Sequence, residues 1–144
     1  MTEGKIKLSK NTKEKLKQLG VVAVYFFGSR VSKTHLPFSD IDLGIVVDNP
    51  KKRLDSKLGY FSKVYKAVTD DIPDGFDGVK LDISFLQKAS PALGMKAVQE
   101  GELIMDSFPG IRADFEENIL KRYNDYLPLK REYEEANIKA FSKI

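Results

Sequence analysis

Two seven-residue runs, "VVAVYFF" (Val21 to Phe27) and "IDLGIVV" (Ile41 to Val47), constrain this chain more than anything else in it. Both are continuous, β-branched or aromatic, and bounded by turn residues. Each is too short for a buried helix and suits a strand buried on both faces. Such strands need helices to cover them, and the sequence supplies helical patterns on either side. Asn11 with Glu14 reads as an N-cap and capping box, opening a short helix through Leu16 and Leu19 that Gly20 stops. From Lys51 the positions Leu54, Leu58, Phe61, Tyr65 and Val68 form the apolar stripe of a second helix. "VKLDISFL" (Val79 to Leu86) alternates, with Lys80, Asp82 and Ser84 opposite the apolar row, and reads as a strand with one polar face. Ser90-Pro91 caps a helix ended by Gly101, and "ELIMD" is a short last strand. Ile111, Phe115, Ile119, Tyr123 and Tyr126 mark a helix that Pro128 is expected to interrupt, with a further helix over Leu129 to Phe141. The predicted fold class is α/β (α+β): a small mixed β-sheet packed against helices, with C-terminal helices.

The chain has 144 residues, enough for one domain: a core over about 11–106 and a helical segment over about 109–144. Hydrophobic content of 42% and charged content of 31% indicate an ordinary globular protein. The absence of cysteine removes thiolate metal sites and Cys nucleophiles and suits a reducing cytoplasm. No apolar run approaches the roughly 20 residues that span a bilayer, and the start lacks the apolar core of a signal peptide. A net charge of +3, with acids and bases interspersed along the chain, leads to no expectation of direct nucleic-acid binding, and no membrane is expected either.

The candidate chemistry lies between the two runs, in "GSRVSKTHLPFSDID". Asp40 and Asp42 are two residues apart at the head of a strand, so both project from one side, about 6.6 Å apart along the backbone. If the strand carrying Asp82 is a neighbour, three carboxylates converge. Unpaired they repel; with a hard divalent cation such as Mg²⁺ among them the arrangement becomes favourable, and three Asp suffice for two such ions. Gly28 lets backbone approach a bulky anion, and Ser29 with the free N–H groups at a strand end suits phosphate oxygens; Arg30 adds charge. The plain alternatives are a solvated turn for Asp40 and Asp42, a surface pair with Lys80 for Asp82, and ordinary turn chemistry for Ser29. His35, the one histidine, stands in a loop without partners for a metal site, and Ser39 reads as a local cap. Tyr60, Tyr65, Tyr123 and Tyr126 read as packing residues. Lys51-Lys52-Arg53 reads as a solvated helix start, although cations there oppose the helix dipole.

Gly-Ser, ten residues, then Asp-Ile-Asp resembles the signature of the nucleotidyltransferase superfamily whose members include DNA polymerase β, and "KLDISFL" fits the position of its third aspartate. The small size and the stretch "VQEGELIMDSFPGIRADFEENILKRYNDYLP" resemble the minimal nucleotidyltransferases of the MntA antitoxin type. The chain departs from that pattern at Val31-Ser32-Lys33-Thr34, where relatives often carry a second small residue. The resemblance implies an ATP-dependent, Mg²⁺-dependent adenylyltransferase that places AMP on a tyrosine of a HEPN-type toxin partner, HepT. It implies that Gly28, Ser29 and Arg30 meet the nucleotide phosphates, that Asp40, Asp42 and Asp82 hold metal, and that Asp82 helps deprotonate the attacking hydroxyl. Two other functions fit the same residues: a nucleotidyltransferase acting on a small-molecule hydroxyl, and an antitoxin that acts by binding alone.

Overall fold

The computed structural model describes residues 7–27, 41–55, 59–72 and 80–142. Within them α1 (Lys10–Gln18) leads into β1 (Val21–Phe27), β2 (Ile41–Val47), α2 (Pro50–Asp55), α3 (Gly59–Thr69), β3 (Leu81–Phe85), α4 (Pro91–Glu100), β4 (Glu102–Asp106) and α5 (Pro109–Ser142). The sheet order is β3-β2-β1-β4. β1 runs antiparallel to both β2 and β4, whereas β2 and β3 are parallel. This is the expected mixed sheet with helices against it.

β1 sits where its composition puts it. All seven of its residues are buried, as are all of β2 except half-buried Asp42. A register irregularity between Val21 and Ala23 lets Val22 and Ala23 turn to the same side. Val21, Val24, Phe26, Leu43, Ile45 and Val47 pack with Leu16 of α1 and Val64 and Val68 of α3. Val22, Ala23, Tyr25, Phe27 and Val46 pack with Met95 of α4 and with Phe115 and Ile119 of α5. The sheet therefore carries α1 and α3 on one face and α4 and α5 on the other.

Three local expectations are corrected. The cap of α1 is Ser9, whose hydroxyl accepts the Thr12 N–H at 3.2 Å, and Asn11 stands exposed inside the first turn. Ser9 is a stronger start because its extended backbone aims the hydroxyl at the open amides. Gly20 does end the helix, at φ 84, where a side chain would also run into Arg53 and Asp48. The stripe expected from Lys51 onward falls on two helices, with Leu58 outside the described residues. Val64, Ala67 and Val68 form the buried face of α3, and Phe61 is 47% exposed. Third, α5 continues through Pro128 instead of breaking there. Pro128 and Asn124 both face solvent, so the Asn124 carbonyl that loses its helical donor reaches water. Ser90 and Pro91 cap α4 as expected, the Ser90 hydroxyl accepting the Leu93 N–H at 3.2 Å. Among the described residues no helix is long and apolar enough to cross a membrane.

From Leu129 to Ala140 every residue of α5 is exposed, so this last third of the helix is held by its own hydrogen bonds and exposed side-chain pairs such as Lys130 with Glu134 at 4.0 Å, without core packing. Amide exchange should be slow over Phe115 to Tyr123 and fast beyond Pro128. Pro128→Ala restores one helical hydrogen bond and removes a local cost of about 3 kcal/mol. Exchange over residues 129–140 should then slow measurably; unchanged exchange would show that another factor limits this segment.

Candidate active site

β2 and β3 begin at the same end of the sheet, and their register places Asp42 directly beside Asp82. Leu43 and Ile45 on one strand, and Leu81, Ile83 and Phe85 on the other, pack toward α1 and α3. Strand alternation then turns Asp42 and Asp82 to the opposite face, the one that α4 and α5 cover. Across β1 the neighbour of Asp42 is Phe27, the last residue of that strand. The Ile41 N–H donates to the Lys80 carbonyl at 2.8 Å and locks the two strand heads together. The chain leaves β1 toward Gly28 at this same end. Gly28, Ser29, Arg30 and Asp40 lie outside the described residues, as do Ser39 and His35.

Asp42 is half-buried, and the Asp82 side chain is 46% exposed. Lys80 Nζ stands 3.9 Å from Asp82 Oδ1, the pairing that the plain reading anticipates. At that distance and exposure such a pair contributes about 0–1 kcal/mol. It does not commit the carboxylate. Adjacent parallel strands lie about 4.8 Å apart, so the two carboxylates offer hard oxygen donors from one face, which suits Mg²⁺ chemically. Among the described residues no group of three or more His, Cys, Asp or Glu is gathered, so the pair Asp42 and Asp82 is what they bring together.

Sequence reasoning missed a polar network on this face. The Tyr25 hydroxyl of β1 donates to Glu116 Oε2 of α5 at 2.6 Å. Arg112 Nη1 donates to Glu116 Oε1 at 3.0 Å, and Arg112 Nε lies 3.0 Å from Asp106 Oδ2 of β4 as an ion pair without hydrogen-bond alignment. The network ties α5 to β1 and β4 and so fixes the helix over the face that carries the two aspartates. The i,i+4 spacing of Arg112 and Glu116 was the one signal available.

Burial, reinforced by the adjacent Glu116 carboxylate, pushes the Tyr25 hydroxyl well above its ordinary value, and burial pushes Tyr60 up to about 12. In both cases the folded state keeps a proton that the unfolded chain releases near pH 10. Their stabilisation is complete below that pH and is lost as pH climbs toward the folded values. Tyr25→Phe removes the larger part of this dependence. Its urea midpoint should fall less steeply than that of the native chain above about pH 10, and equal slopes would refute the assignment.

A family description, nucleotidyltransferase domain, matches residues 7–104. No curated protein matches the chain in sequence. Solved structures resemble it in fold. A mutant of the toxin–antitoxin MntA-HpeT superposes with a TM-score of 0.59 at 16% identity, over 88% of this chain and 98% of that one. A Shewanella oneidensis structure gives 0.58 at 15% identity, over 91% and 98%. A toxin–antitoxin crystallised with AMP-PNP gives 0.52 at 20% identity, over 88% and 98%.

Proposed function

The chain belongs to the nucleotidyltransferase domain family, and from that premise we propose that it is the antitoxin of a toxin–antitoxin pair, transferring AMP from ATP to a tyrosine of a HEPN-type toxin. The observation that carries the reading is the side-by-side placement of Asp42 and Asp82 at the strand end from which the chain runs on to Gly28 and Ser29. In sequence, that is the pairing of a metal platform with a phosphate cradle. Support comes from two of these neighbours, which are described as toxin–antitoxin structures, one of them crystallised with AMP-PNP. The exposed Leu129, Tyr133 and Ile138 of α5 offer apolar contact to a protein acceptor, which a small-molecule transferase does not need.

In this reading Gly28, Ser29 and Arg30 bind the triphosphate and hold it in line. Asp40, Asp42 and Asp82 are the ligands for Mg²⁺, which when bound supplies charge neutralisation at the phosphate oxygens. The Asp82 carboxylate takes the proton from the incoming tyrosine hydroxyl. That oxygen bonds to the α-phosphorus, the α–β phosphoanhydride bond breaks, and pyrophosphate departs. The chain acts as one domain, with its core over about 11–106 and the segment 109–144 appended.

The test is incubation of the full chain with labelled ATP, Mg²⁺ and a HEPN-type candidate partner, sought among the products of adjacent genes, followed by mass spectrometry of that protein. An AMP adduct on a tyrosine is expected. No adduct, together with protection of cells by an Asp42→Ala chain, would replace transfer by neutralisation through binding alone.

A further inference from the structure

A net charge of +3 conceals how the fold sorts its charges. Helices α1, α2 and α3 carry nine Lys and Arg against two acids, Glu14 and Asp55, whereas α4 and α5 carry seven against eight. The turns beside α1 to α3 add Asp48, Asp70 and Asp71. Asp48 is held by Arg53, Asp70 pairs with Lys15 at 3.1 Å, and Asp71 accepts the Ser9 N–H at 2.7 Å. The basic layer covers the face of the sheet opposite Asp42 and Asp82.

Two concavities run along α3 in this layer. The groove between α1 and α3, about 350 Å³, is lined by Lys63, Lys66 and the Lys15–Asp70 pair over a floor of Leu19 and Ala67. The cleft between α2, α3 and the end of β3, about 560 Å³, is lined by Arg53, Tyr60, Phe61, Phe85 and Lys88. Tyr60 of the cleft bonds to Leu19 of the groove, its hydroxyl donating to the Leu19 carbonyl at 2.7 Å. Phe61 stacks on Tyr65 and packs edge-on to Phe85, both with ring centroids 6.1 Å apart, and still leaves 47% of its surface exposed. Arg53 stands 5.8 Å from the centre of the Tyr60 ring. Lys63 and Lys66 have no carboxylate partner among the described residues.

We propose that this face binds a single-stranded polynucleotide, with the α1/α3 groove following phosphates and the aromatic cleft stacking a base against Phe61. Neighbouring cationic and aromatic surfaces match a ligand that alternates anions with planar rings. A duplex engages only the cations, because its base faces are already stacked. The site gives the Lys51-Lys52-Arg53 run a purpose, since Lys52 and Arg53 line a further recess of about 300 Å³ beside Tyr60. It does not rest on the transferase reading, because it lies across the sheet from the acids.

The experiment is fluorescence anisotropy of the full chain with labelled oligo(U) and oligo(dT) of about 12 nucleotides and a duplex of equal length, at about 50 and 200 mM salt. Both single strands should bind, the RNA and DNA arms showing whether the sugar is read, and binding should weaken with salt. Lys63→Gln with Lys66→Gln should make the log–log salt slope shallower by about 1.4. Phe61→Ala should weaken single-strand binding roughly tenfold and leave the salt slope, the duplex affinity and any AMP transfer unchanged. All three positions are exposed, so the variants fold, which circular dichroism verifies. Absence of single-strand binding at the lower salt overturns the proposal. So does indifference to the lysine changes, or a duplex bound as tightly and equally sensitive to Phe61→Ala. Loss of a protein partner in these variants, with nucleic acid unaffected, makes the face a protein interface and equally overturns it.

Discussion

Asp42→Asn should lower nucleotidyl transfer by at least about 10²–10³-fold, the scale on which a single preorganised charge-stabilising group at the reacting centre is felt. Asp82→Asn should do the same. Neither should harm the fold. Asn keeps the shape of Asp and one oxygen that accepts hydrogen bonds, and both positions lie at strand heads, with Asp42 half-buried and Asp82 46% exposed. Stability should therefore stay within about 0.5 kcal/mol of the native chain. Among the described residues the ion-pair partner that Asp82 loses is Lys80 at 3.9 Å, a weak one. The informative result is this separation: activity gone, urea midpoint unmoved. A structural carboxylate would give the reverse, a shifted midpoint with residual transfer in proportion to the folded fraction. Lys80→Gln serves as the control, since removing the lysine leaves both carboxylates in place and should cost transfer little. Full activity in Asp42→Asn would remove the acids from the reaction altogether.

What could be read in the sequence was what is local. β1 and β2 declare themselves because short, densely apolar runs, unbroken in β1 and interrupted by Asp42 in β2, fit a buried strand and little else, and the Ser90-Pro91 cap because its chemistry is confined to four residues. The meeting of Asp42 with Asp82 was conditional on two strands being neighbours. Pairing is a property of the whole sheet: α2 and α3 stand between β2 and β3 in the chain, and no residue in either strand encodes that choice. The misses share this cause. Tyr25 reads as one more member of an apolar run, and its hydroxyl finds Glu116 91 residues later. Phe61 fits a helical stripe by spacing, yet α3 turns Val64, Ala67 and Val68 inward and leaves that ring at the surface. Pro128 reads as a breaker because the sequence does not say which side of α5 faces water. Charges interspersed along the chain are shared unequally once helices pack on opposite sides of a sheet, with a basic excess on α1 to α3 and near balance on α4 and α5, which net charge alone does not report.

Ile119→Ala should cost about 2–5 kcal/mol, a large share of the 5–15 kcal/mol that holds a domain of this size together. Ile119 is fully buried where α5 crosses α4, packed in one cluster with Met95, Phe115, Val22 and Leu86. The crossing is close because α4 has Gly94 at the contact: a Cβ built there would stand 2.7 Å from Ile119 Cδ1. That geometry predicts how two substitutions couple. In the native chain Gly94→Ala gains about 1 kcal/mol of helix propensity, but the new methyl meets Ile119 Cδ1, which must rotate away, so the net change is near zero. After Ile119→Ala the obstacle is gone, and the same methyl fills part of the cavity left behind. Gly94→Ala should then recover about 1–2 kcal/mol. The four chains form a cycle whose interaction energy, from urea denaturation, should be about 0.5–3 kcal/mol in favour of the double variant. Strict additivity would mean that the helices slide to close the gap. The consequence reaches the site, because α5 is also the helix that Tyr25, Asp106, Arg112 and Glu116 fasten over the face of Asp42 and Asp82. If the crossing loosens, transfer by Ile119→Ala should decline at urea concentrations that leave the strand core folded, and Gly94→Ala should restore it in the same order in which it restores stability.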